Sequence, residues 1–104
     1  MKRNRSVVPL VAHHLGLAPV AHDWRGVDAV LPIVERMRAD GAVVLIKFDG
    51  ERRRPGDAGP FTLAIIGKVM GDDPLRRDAH SLEDGLSDVI VEYAQRFWGY
   101  KLPS

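Results

Sequence analysis

Three groups of side chains in this 104-residue sequence are of the types that chemistry uses. In the first, Asp78, His80, Ser81 and Asp84 put a hydroxyl beside an imidazole with carboxylates close by, which is the composition of a nucleophilic triad. Triads are normally assembled from residues far apart in sequence, because chain neighbours seldom reach the required geometry. Ser81 also stands directly before a helical apolar pattern, where its hydroxyl serves as an N-cap. No catalytic residue is assigned on this basis. A small enzyme or ligand-binding domain using His80, Asp78 or the arginines is the alternative reading. The other histidines are His13, His14 and His22, and no two of the four have the i, i+4 spacing of a helical metal site. Cysteine is absent, which removes thiolate ligands, disulfides and a thiol nucleophile, so no metal site is assigned. Gly50, Gly56, Gly59, Gly67 and Gly71 form no phosphate-binding fingerprint, and no cofactor is expected.

The second group is Arg52-Arg53-Arg54, which with Arg76 and Arg77 could meet phosphates. No aromatic pattern of an RNA-binding module accompanies it, so direct nucleic-acid binding is not expected. A nucleic-acid-binding regulator acting through these arginines and the basic tip (Lys2, Arg3, Arg5) remains a rival, with the steep salt dependence that phosphate contacts impose. The third group is acidic. Asp84, Asp88 and Glu92 recur every four residues and so share one face of a helix, with Asp78 and Glu83 placed to extend the stripe. Such a stripe either docks a basic protein, where complementary charge speeds encounter and sets orientation, or is an ordinary solvated face. The candidate partner-binding residues are Asp78, Glu83, Asp84, Asp88, Glu92, Arg52, Arg53 and Arg54.

These side chains need a scaffold, and the sequence outlines one. Two runs rich in β-branched residues, Ala42 to Phe48 and Phe61 to Val69, read as an antiparallel hairpin. Val44, Ile46 and Phe48 fall on one side of the first run and Val43, Leu45 and Lys47 on the other. Both sides are mainly apolar, which predicts a central strand. The loop between the runs, with its arginines, three glycines and two prolines, is long for a hairpin and therefore a candidate for function. Gly71-Asp72-Asp73-Pro74 is a turn, and Leu75 to Ala79 reads as a third strand whose charges suit a sheet edge. A helix is expected from Asp28 as N-cap, with Pro32 in its first turn and Gly41 ending it. Another opens at Ser81, with Asp84 completing a capping box. Leu82, Leu86, Val89, Ile90, Tyr93 and Phe97 line its apolar face, Trp98 and Tyr100 close the core edge, and Gly99 ends it. Val7 to Leu15 fits either a short helix with Pro9 in its first turn or an edge strand. The basic tip before it is expected to fray. The chain thus reads as one α+β domain, residues 1–104: a small antiparallel β-sheet of two or three strands packed by two or three α-helices.

With 45% hydrophobic and 28% charged residues, the composition is that of a folded globular chain and not of a disordered one. The net charge of +1 gives no bulk attraction to nucleic acid. Pro9, His13, His14, Gly16 and Pro19 interrupt what would have to be a signal-peptide apolar core, and no apolar run is long enough to span a membrane. A cytoplasmic protein without a membrane partner is expected.

From Met37 to Tyr93 the chain resembles small bacterial immunity proteins, particularly those of contact-dependent growth inhibition systems. The resemblance is carried by a helix running into Asp40-Gly41, the strand end Lys47-Phe48-Asp49-Gly50-Glu51-Arg52, the second strand, the Arg76-Arg77-Asp78 step and the helix opening at Ser81-Leu82-Glu83. It implies a non-enzymatic cytoplasmic inhibitor that binds one cognate toxin domain, often a nuclease such as a tRNA-cleaving one, and blocks its active site. Many nuclease inhibitors are strongly acidic overall, whereas this chain is not.

Overall fold

Apolar periodicity and turn chemistry place the elements in the order α1 (Arg3–His14), α2 (Leu31–Ala39), β1 (Val43–Phe48), β2 (Phe61–Ile66), β3 (Leu75–Ala79) and α3 (Leu82–Phe97) in a computed structural model that describes residues 3–103. Short 3-10 turns, Val27–Val30 and Lys68–Met70, precede α2 and follow β2. The strands form one antiparallel sheet in the order β1-β2-β3, so the fold is the expected α+β class. Of the basic tip expected to fray (Lys2, Arg3, Arg5), Lys2 lies outside the described residues, with Met1, while Arg3 and Arg5 belong to α1.

The register decides which side of the sheet is the core. Val44, Ile46 and Phe48 pair with Ile65, Leu63 and Phe61, and these in turn with Leu75, Arg77 and Ala79. Paired residues share a face, so this set forms the inner face, on which Leu63, Ile65 and Leu75 are fully buried. The outer face carries Val43, Leu45, Lys47, Thr62, Ala64, Ile66, Arg76 and Asp78. There Val43, Leu45 and Ile66 stand exposed. All helical cover is therefore on one side. Helix α3 lies across β2 and β3, α2 covers β1, and α1 packs along α3.

That arrangement corrects the expected place of β1. It is an edge strand, and β2 is central. The apolar character of both β1 faces does not come from double burial, since Leu45 is 49% and Phe48 65% exposed.

The N-terminal segment resolves as a helix, and Pro9 sits in its interior instead of its first turn. A proline there cannot donate to the carbonyl four residues earlier. That carbonyl, on Arg5, is instead taken by the Trp24 indole N–H at 3.1 Å. The Arg5 guanidinium returns a bond to the Trp24 carbonyl and lies over the indole ring. The break in the helix ladder is thereby satisfied by the segment that follows it.

Helix α2 begins later than expected. Asp28 lies inside the 3-10 turn, Val30 occupies the N-cap without a side-chain bond, and Pro32 takes one of the first two helical positions. Gly41, at φ +99°, ends the helix as expected. Its N–H reaches the Arg38 carbonyl and that of Ala42 reaches the Met37 carbonyl, the paired bonds of a Schellman stop. In α3, Ser81 is the N-cap and its hydroxyl accepts from the Asp84 N–H at 3.1 Å. Leu86, Val89, Ile90 and Tyr93 are buried as expected, while Phe97 is exposed. Val91 and Ala94 are buried as well, because α1 covers a second flank of this helix. Gly85 makes the helix–sheet approach possible: a Cβ there would come within 2.3 Å of Leu63 Cδ2.

Candidate functional site

The loop between β1 and β2 is anchored at its start. Asp49 accepts the Glu51 N–H at 3.0 Å, the hydrogen bond that does most to lower its pKa, and its other oxygen faces Lys47 and Arg52. From there Arg52 reaches over the outer face of the sheet. Its Nη1 donates to Asp78 Oδ1 at 3.1 Å, Thr62 Oγ1 at 3.3 Å and the Gly59 carbonyl at 3.4 Å. Thr62 stands opposite Asp78 in the β2–β3 register and donates its hydroxyl to the same carboxylate oxygen at 2.6 Å.

Asp78 is thus held by three donors, counting Arg76. Its pKa falls from 3.8 to about 2, chiefly through the Thr62 hydrogen bond and then Arg52 and Arg76, against an opposing effect of burial. The loop closes at Gly59, which has φ +104° and lies so close to β3 that a Cβ would sit 2.2 Å from the Ala79 carbonyl oxygen. Arg53 and Arg54 project from this anchored loop and are exposed. The Arg53 guanidinium donates to the Gly50 carbonyl at 2.7 Å, and the Arg54 N–H to Asp57 at 3.0 Å.

The other acidic candidates lie elsewhere and are largely engaged within the fold. Glu83 accepts the Gly26 N–H at 2.9 Å; burial alone would raise its pKa, but that bond and the nearby arginines lower it. Asp88 accepts from Asn4 of α1 at 3.0 Å. Glu92 meets Arg77, which extends from β3, and Arg96 at 2.7 Å. Asp84 follows Ser81 in the first turn of α3 and is half-buried. Asp88, Glu92, Asn4, Arg77, Val91, Gln95 and Leu102 together line a groove of about 350 Å³ between α1, α3 and the C-terminal segment. At Asp88 and Glu92 the expected stripe is therefore a half-buried seam, with Asn4, Arg77 and Arg96 against its carboxylates.

The structure brings Arg52 and Asp78 together but does not join the loop to the α3 acids into one contact set. The Ser81 hydroxyl is occupied by its capping bond, and His80 is exposed. Among the described residues, no group of three or more His, Asp or Glu side chains is arranged to hold a metal ion. None of their helices is long and apolar enough to cross a membrane.

Sequence reasoning missed Thr62, Asn4 and Trp24. Thr62 could have been found by carrying the β2–β3 register back from the Gly71–Pro74 turn. Asn4 and Trp24 gave no such signal, since their partners depend on how α1 docks. Comparisons with protein-family models, characterised proteins and solved structures find no match.

Proposed function

We propose that the chain is a protein-binding module, and specifically an immunity protein that neutralises a cognate toxin domain, a nuclease, by covering its active site. The observation that carries this reading is the anchored loop. Arg52 is tied to Asp49, Thr62 and Asp78, so Arg53 and Arg54 are displayed from a braced segment. Preorganisation lowers the entropy lost on binding and turns an otherwise mobile loop into a defined contact. Exposed guanidinium groups pair in bidentate fashion with carboxylates, including the carboxylates with which a metal-dependent nuclease holds its ions. Arg53 and Arg54 would lead the contact. Asp84 and Asp88 are the second candidate surface, suited to the basic rim of a nucleic-acid-binding cleft. The resemblance over Met37–Tyr93 supplies the toxin–immunity context.

The test is affinity capture of the tagged chain from its native lysate, with mass spectrometry and an activity assay of whatever is retained. A stoichiometric partner carrying a toxin domain silenced in the complex supports the proposal. Arg53→Glu with Arg54→Glu should then weaken capture while circular dichroism stays unchanged. Recovery with RNA alone, lost steeply as salt rises, would replace the proposal with nucleic-acid binding through the same arginines.

A further inference from the structure

The two edges of the sheet are protected very differently. On β3 the side chains Arg76, Arg77 and Asp78 place charge along the rim. On β1 the only charged residue is Lys47, and large apolar side chains flank it. Charge on an edge strand resists pairing with another chain, and its scarcity invites it.

The hydrogen-bond alternation identifies what that edge offers. The Asp49 N–H donates to the Pro60 carbonyl at 2.7 Å. In an antiparallel ladder, bonded and non-bonded pairs alternate, so Lys47, Leu45 and Val43 also direct their backbone groups to β2. Val44, Ile46 and Phe48 therefore direct theirs outward. Beside the start of the strand, Val34, Glu35, Arg38, Ala42, Val43 and Val44 line a groove of about 330 Å³ between α2 and the edge. At the other end stands Phe48, 65% exposed, its ring edge-to-face with that of Phe61.

We propose that this edge is a self-association surface, on which two copies pair their β1 strands antiparallel about a two-fold axis through Ile46. The groove at Val44 and the projection at Phe48 lie on the same face, each two residues from Ile46. The two-fold therefore sets each Phe48 opposite Val44 of the other copy, at the mouth of its groove. That is the reciprocal match an isologous interface requires. Aromatic and β-branched residues are favourable cross-strand partners, and all the outward backbone groups from Val44 to Phe48 become paired.

Charge selects the same register. With Ile46 on the axis, Lys47 faces Leu45. A shift that centres Lys47 would set two ammonium groups directly opposite each other, which is unfavourable. The surface carries both signs on each tier, Glu35 with Arg38 and Lys47 with Asp49, so two copies meet without net repulsion. Val44 and Ile46 remain partly exposed beneath α2, which leaves the strand edge accessible. The product is a continuous six-stranded sheet.

Sedimentation equilibrium over a range of protein concentrations tests this. The mass should rise from 11.5 kDa toward twice that value. Hydrogen exchange should show protection at the Val44, Ile46 and Phe48 amides that grows with concentration, while Val43, Leu45 and Lys47 are protected throughout. Phe48→Lys should weaken dimerisation roughly tenfold or more. Phe48→Leu, which keeps an apolar group in the groove, should weaken it less and guards against a general loss of fold. A chain that stays at 11.5 kDa at its highest soluble concentration overturns the proposal. So does a dimer that leaves the Val44, Ile46 and Phe48 amides unprotected.

Discussion

At the scale of single residues, Asp78 holds the candidate site together. The folded state favours its ionised form, lowering the pKa from 3.8 to about 2. Its stabilising effect is therefore complete above the unfolded value and disappears as pH falls through about 2. Replacing it with Asn should destabilise the chain near neutrality by about 1 kcal/mol or less, because its side chain is 27% exposed and solvent screens the pair. The gap between Asp78→Asn and the parent should shrink as urea melts are repeated from pH 5 down to about 2. A gap that stays constant over this range would mean the carboxylate charge is not what holds the loop. Gly59 makes a harder demand. Ala at φ +104° is strained, and its Cβ would collide with the Ala79 carbonyl, which cannot move without disturbing β3. Gly59→Ala should cost about 2 kcal/mol, read from the same melts. The residue types of this site were visible in the sequence, but their employment was not. Asp78 read as a possible contact, whereas Thr62 and Arg52 already occupy it. Asp88 and Glu92 read as an open stripe because their partners, Asn4 and Arg77, arrive from other elements.

At the scale of elements, legibility followed how local each signal was. Helix α3 has a cap, an apolar face and a terminal glycine, all readable except that the face leaves Phe97 exposed. The charged third strand was readable for the same reason, but β2 ends at Ile66, and the Lys68–Met70 turn takes the place of its expected end at Val69. Helix α1 was ambiguous because Pro9 is acceptable inside a helix only when something else takes the Arg5 carbonyl, and that partner is Trp24. The position of β1 was misread because apolar residues on both faces describe a buried central strand and an uncovered edge equally well. This distinction is measurable. Leu63→Ala, on the inner face of β2, should cost about 2–5 kcal/mol through lost burial and a residual cavity. Leu45→Ala, on the outer face of β1, should change stability by about 0.5 kcal/mol or less. Comparable losses at both positions would require a covered outer face. The proposed pairing of β1 leaves this contrast intact, provided the melts are run at concentrations where the chain is monomeric.

At the scale of the whole molecule, one carboxylate links the helix over the edge strand to the helix over the centre. Asp40, the C-cap of α2, accepts the Tyr93 hydroxyl at 2.9 Å and the Trp98 indole N–H at 2.8 Å. Tyr93 is completely buried, and burial first, then the Asp40 bond, raises its pKa, so the phenol stays protonated and remains a donor. Removing Asp40 and removing the Tyr93 hydroxyl are not equivalent changes. Asp40→Ala leaves a buried donor without its acceptor and should cost about 1–3 kcal/mol. Tyr93→Phe removes that donor and leaves a carboxylate that still binds Trp98 and is accessible to water, so its cost should be smaller. The double variant should be more stable than the sum of the two losses implies, since the second change removes the group that the first left unsatisfied. Urea denaturation of the four proteins gives this coupling directly. Strict additivity would show that the Asp40–Tyr93 hydrogen bond contributes nothing of its own to stability. A positive coupling would place part of the order of the domain in a polar link between residues 53 positions apart. That link positions α2 over β1, and so shapes the groove into which Phe48 of a second copy would fit.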